Sequence, residues 1–173
     1  MRKMYFVSIA FLLIKATTLF GQENLKIGHL NSQEILQQLP VNDSIQQVLK
    51  KESDEMEKMF NNKINEHEAN MKKYEAEKDS YSEFVRNSKE KDLMDEETKI
   101  QQFSQNANQQ LQRRQIELYT PVQKRIKSAI EKVSLKNNFT YVLDLSSGAV
   151  AFFSPSSINL NALVLNELGV TTR

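Results

Sequence analysis

From Asp43 to Leu135 the chain is patterned for helix. No glycine interrupts this stretch, and Pro121 is its one proline. Its residues are mainly Glu, Lys, Gln, Asn and Met, most of which tolerate helix well. Apolar side chains recur at gaps of three, four and seven. In the outgoing part Phe60, His67, Tyr74 and Tyr81 share one heptad position. Ile64, Met71, Lys78 and Val85 share the other, as two helices packed along a narrow seam require. Residues 43–84 alone would form a helix roughly 60 Å long.

Arg86 to Asp92 contains no apolar residue, and it lies midway through the long region. It is the predicted tip of a hairpin. Leu93 opens a second stripe, continued by Ile100, Phe103, Ala107, Leu111 and Leu118. Nearer its end, Leu111, Val122 and Val133 drift toward an eleven-residue repeat, which predicts straighter winding there. Pro121 should kink this returning helix.

The flanks change period. Leu25 to Leu30 alternates in part and reads as a short strand. Asn31 then caps a short helix, with Glu34 three positions on, and Pro40 stops it. After Asn137-Asn138, the run Phe139 to Leu145 is β-branched and aromatic, so it reads as a strand. Ser146-Ser147-Gly148 is a turn, and Ala149 to Phe153 is the predicted antiparallel partner. A last helix follows, capped by Asn159 or Asn161, with Leu160, Leu163, Val164 and Leu168 on its face and Gly169 at its end.

The predicted class is therefore α+β: a small β body made of residues 22–42 and 136–173, carrying a helical hairpin over 43–135. So small a body holds a marginal core, and its strands leave edges to cover. Both points favour self-association.

Composition narrows the function. Arg2 and Lys3 precede an apolar run from Met4 to Ile14, too short to span a bilayer, so residues 1–21 read as a cleavable signal peptide. Removing them takes the formal charge from +1 to −2. A near-neutral protein is no evident nucleic-acid binder. There is no Cys, which excludes disulfides, thiol chemistry and zinc–thiolate sites.

Enzyme chemistry finds no support. His29 and His67 have no patterned partners for a metal. No nucleophile elbow or phosphate loop occurs. No catalytic residue, metal ligand or cofactor is expected. What remains is adaptable apolar surface of the Met-rich kind. Met56, Met59, Phe60, Met71, Tyr74, Tyr81 and Phe84 on the outgoing helix, with Met94 and Phe103 on the return, are the candidate client contacts. The same residues would also zip the two helices together. Met59 and Phe84 lie off the main register and are the better candidates for an open face. In the body, Ile27, His29, Tyr141, Leu143, Val150 and Phe152 are the candidate assembly contacts.

Three segments carry a family resemblance: Lys26 to Leu36 (KIGHLNSQEIL), the Gln-rich stretch from Phe103 to Leu118, and Asn138 to Asp144 (NFTYVLD) with Gly148 after it. With them the chain resembles the Skp (OmpH-like) family of periplasmic chaperones. The resemblance implies a homotrimer whose joined strands form a central body. From it three hairpins would project and hold unfolded outer-membrane proteins without ATP. It implies a periplasmic location. One feature departs from the family: residues 42–120 hold 13 Lys or Arg against 17 Asp or Glu, where basic hairpins are expected. That weakens any case for binding anionic membrane or capturing acidic clients by charge. The competing expectation is an envelope scaffold or adaptor with one defined partner.

Overall fold

A computed structural model describes residues 25–170; the signal-peptide assignment lies outside them. The elements in order are β1 (Ile27–Leu30), α1 (Ser32–Gln38), α2 (Pro40–Glu77), a 3-10 turn (Lys78–Ser80), α3 (Glu83–Lys136), β2 (Tyr141–Asp144), a 3-10 turn (Leu145–Ser147), β3 (Ile158–Asn159) and α4 (Asn161–Glu167). Two compact units divide the chain. Among the described residues, one contains 25–35 and 127–170, the other Leu36–Ile126. The α+β class with a long helical hairpin and a small sheet is what the sequence predicted.

In the first unit, β1 is the central strand of a three-stranded sheet ordered β2-β1-β3. Both pairings are parallel. Ile27 faces Tyr141 and Leu30 faces Asp144 on one side, and His29 faces Asn159 on the other. The predicted antiparallel β-hairpin is therefore wrong: Ala149 to Phe153 is not a strand. The reason lies just after β2. The Asp144 carboxylate accepts from the Ser146 N–H at 3.0 Å and starts a 3-10 turn. Gly148 then takes a φ of 69°, a left-handed value that glycine adopts without strain. The chain leaves the sheet there and returns only at Ile158, on the far edge of β1.

The core of this unit is Leu30, Ile35, Leu160, Val164 and Leu165, all essentially buried, with Ala129, Val133 and Leu168 beside them in burial. Strand residue Gly28 is fixed by close approach. A Cβ there would lie 2.3 Å from Leu160 Cδ1 and 2.8 Å from Phe139 Cε1. On α4 the buried face uses Leu165, while Leu163 is exposed; the expected face was off by part of a turn. Polar groups tie the distant segments together. Asn31 Oδ1 accepts from the Gln33 and Glu34 N–H groups, and its own N–H donates to Asn161 Oδ1 at 2.9 Å. Asp144 accepts from the Ser32 N–H at 3.1 Å and hydroxyl at 2.5 Å.

In the second unit Pro40 occupies the first turn of α2, where its missing N–H costs nothing. It starts a helix as well as ending one. Cross-helix pairs fix an antiparallel hairpin: Tyr119 with Asn42, Arg114 with Glu52, His67 with Glu96 and Tyr74 with Glu90. These converge on residues 78–82, where the chain reverses. The expected tip at Arg86–Asp92 is thus corrected, because that segment lies inside α3. It lacks apolar residues because it is an exposed stretch of helix. Ser82 starts α3: its carbonyl accepts from the Arg86 N–H at 2.9 Å, and the Arg86 guanidinium closes the turn on the Lys78 carbonyl at 3.1 Å. α3 continues through Pro121.

Candidate functional site: an open groove along the hairpin

The two helices of the hairpin share few fully apolar layers. Leu39, Ile45, Val122 and Ile126 are the buried residues of this unit. The heptad residues Phe60, Ile64, His67, Tyr74 and Tyr81 are only half-buried. Several of the seam positions are polar, so cross-helix bonds replace apolar packing. His67 Nδ1 lies 3.1 Å from Glu96 Oε2, and Asn70 donates to Glu96 Oε1 at 2.9 Å. The Tyr74 hydroxyl donates to Glu90, and that bond, with the nearby carboxylate charge, raises the phenol above its ordinary pKa. Tyr81 donates to Glu77 and shifts the same way for the same first reason. The Tyr74 and Tyr81 rings stack with centroids 6.4 Å apart.

Where α2 residues at i, i+3, i+4 and i+7 meet the α3 stretch after Phe103, the helices leave a groove of about 760 Å3. Met56 and Met59 from α2, and Phe103 and Ala107 from α3, supply its apolar part. Asn106 and Gln110 form an amide wall. Charges complete the rim: Arg114 donates to Glu52 at 3.1 Å and to Glu117 at 2.9 Å, which leaves Glu55 and Arg113 on the same rim. At the Phe103 end the Lys63 ammonium sits 5.6 Å from the ring centroid. A groove of this size falls within the range of small-ligand and peptide sites. It has apolar surface, hydrogen-bonding amides and a charged rim.

Three of the nine candidate client contacts, Met56, Met59 and Phe103, come together in this groove. Phe60 and Tyr74 lie on the seam, and Tyr81 sits at the reversal. Met71, Phe84 and Met94 are exposed elsewhere on the hairpin, Phe84 at 83% and Met94 at 68%. The two off-register residues, Met59 and Phe84, are both exposed. Sequence reasoning missed the polar half of the groove: Glu52, Asn106, Gln110 and Arg114. Their signal was present in the spacing, since Asn106, Ala107 and Gln110 follow Phe103 at three, four and seven.

In the body, Ile27, Tyr141 and Leu143 alternate on one sheet face, by the register of β1 and β2. All three are exposed, and so is Phe152 at 81%, while Val150 is half-buried. His29 shares that face but is buried. The Phe153 ring covers it at 4.6 Å between centroids, and its Nδ1 lies 3.1 Å from the Ser157 hydroxyl. Asp144, at the end of β2, loses solvation by partial burial, yet the hydrogen bonds from Ser32 and Ser146 outweigh this and hold its carboxyl below the ordinary pKa. Among the described residues no group of three or more His, Asp or Glu is placed to hold a metal, and no helix is long and apolar enough to cross a membrane.

A family model described as outer membrane protein (OmpH-like) matches residues 26–168. No curated protein sequence matches significantly. Among solved structures, the chain is similar to a Caulobacter crescentus CB15 protein described as an OmpH-like outer membrane chaperone. The TM-score is 0.71 at 14% identity, covering 88% of this chain and 90% of that one. At that identity the likeness is one of fold.

Proposed function

This chain belongs to the outer membrane protein (OmpH-like) family, and on that premise we propose that it is a non-enzymatic, ATP-independent holdase of the periplasm. It binds unfolded outer-membrane and other envelope proteins and keeps them from aggregating. The observation that carries this reading is the open apolar surface of the hairpin. Met56, Met59 and Phe103 line the open groove, and Met71, Phe84 and Met94 stay exposed elsewhere along the hairpin. A monomer of ordinary solubility rarely exposes this much adaptable apolar surface without a use for it. The excess of acidic over basic residues in the hairpin favours apolar grip over charge capture.

The chain works as a homotrimer assembled through its body. Support comes from the exposed sheet face bearing Ile27, Tyr141 and Leu143, and from Phe152. A face of this kind on so small a core gains stability when a second copy covers it.

Light scattering of an unfolded outer-membrane β-barrel protein diluted from denaturant tests the holdase reading. Stoichiometric trimer should suppress the rise in scattering; an unchanged rise rejects it. Sedimentation tests assembly. The mature protein should run as a trimer, and Tyr141→Asp with Leu143→Asp should shift it to monomer.

A further inference from the structure

We propose that the groove receives a client segment in extended, strand-like conformation and bonds its main chain through a row of amides on α3. Gln102, Asn106 and Gln110 stand at i, i+4 and i+8, on one ridge of the helix. All three are exposed, and none of their side-chain amides makes a hydrogen bond within the described residues. Asn106 and Gln110 line the groove directly, beside the apolar surface of Met56, Met59, Phe103 and Ala107.

The spacing suits a strand. Steps of four residues along a helix advance about 6 Å. Alternate residues of a strand, whose N–H and C=O groups point to the same edge, repeat at about 6.6 Å. Each side-chain amide offers both a donor and an acceptor, so it satisfies either group of a peptide unit whatever the client sequence. Met56, Met59 and Phe103 meanwhile cover the apolar side chains of one strand face. The rim carries Glu52, Glu55 and Glu117 against Arg113 and Arg114, and Arg114 is already bound to two of the three carboxylates. Little unpaired charge remains to select a charged ligand. The chemistry fits an uncharged segment with alternating apolar residues and unpaired main-chain groups, which is what a transmembrane β-strand presents before its barrel closes. This inference rests on the holdase reading and specifies how that holdase recognises its client.

The test uses the full mature protein and two ten-residue probes. One is an uncharged peptide alternating Leu and Thr. The other is its depsipeptide, in which esters replace the central amides and remove main-chain donors from both strand edges. The depsipeptide should bind about five- to tenfold more weakly, as expected for losing one or two neutral hydrogen bonds. Combined Gln102→Ala, Asn106→Ala and Gln110→Ala should weaken the peptide to the depsipeptide's level and abolish the difference between them. Alanine favours helix at these exposed positions, and circular dichroism verifies that the variant folds. Met56→Ala with Met59→Ala should weaken both probes alike. Equal binding of both probes overturns the inference, and so does a difference that survives in the triple variant. If neither probe binds while barrel aggregation is still suppressed, the groove inference falls and the holdase reading stands. If the probes discriminate but aggregation is not suppressed, the holdase reading falls alone.

Discussion

Between Ile45 and Val122 not one residue of the hairpin is buried, whereas the body excludes Leu30, Ile35, Leu160, Val164 and Leu165 almost completely from solvent. The body is held by long-range packing around Gly28 and Leu160, by a polar net linking Asn31, Glu34 and Asn161, and by the bonds of Ser32 to Asp144. The hairpin is held by intrahelical bonds and by scattered cross-helix pairs, such as His67 with Glu96 and Arg114 with Glu52. The difference is one of tolerance. Close-packed cores resist any change of volume, while a helix pair with half-exposed Met and Tyr loses little when a side chain moves. A close-packed part and an adaptable part thus coexist in one short chain.

Substitutions sharpen this contrast. The largest effect is expected at Leu160. Leu160→Ala removes a fully buried side chain from the body and should cost roughly 2–5 kcal/mol in denaturant unfolding. Gly28→Ala should follow at about 1–3 kcal/mol, because the added methyl meets Leu160 and Phe139. If that variant unfolds no more easily than the parent, the tight packing of β1 on Leu160 is not what holds the body.

Asp144→Ala removes the acceptor for Ser32 and Ser146 and should cost about 1 kcal/mol at neutral pH. The carboxyl is held below its ordinary pKa in the folded state. Its contribution is therefore complete above the unfolded carboxylate's pKa, near 3.8, and is lost as pH falls through the lower folded value. Stability curves for parent and variant should converge toward acid. Curves that stay parallel down to pH 2 would show that Asp144 does not carry this dependence.

The smallest effect is expected on the hairpin. Met59→Ala should change stability by less than about 0.5 kcal/mol yet reduce client retention. A stability loss comparable to that of Leu160→Ala would erase the distinction between the two regions.

Departures from the sequence pattern follow the same division. The lack of apolar residues over Arg86–Asp92 suggests a tip there, but polarity on an exposed helix carries no turn signal. The better sign was Ser80-Tyr81-Ser82 before Glu83, where a serine precedes an acidic first turn. Ala149 to Phe153 has the composition of a strand, yet the turn after Asp144 carries it away from the sheet. On the hairpin, the seam and the off-register Met59 and Phe84 were legible from spacing. The amide wall followed Phe103 at the same helical spacing, but nothing distinguished it from a solvated face until Met56 and Met59 stood opposite.

Pattern along the chain is enough for the two long helices, the split halves of the body and the family to which the chain belongs. A helical hydrogen bond reaches only four residues, so composition and period over a short window specify it. The parallel pairing of β1 on both sides, and the choice of amides that border the groove, come from long-range packing instead. Each of these depends on residues far apart in the chain, brought together by packing, and no local pattern encodes which partner a strand edge or helix face will meet.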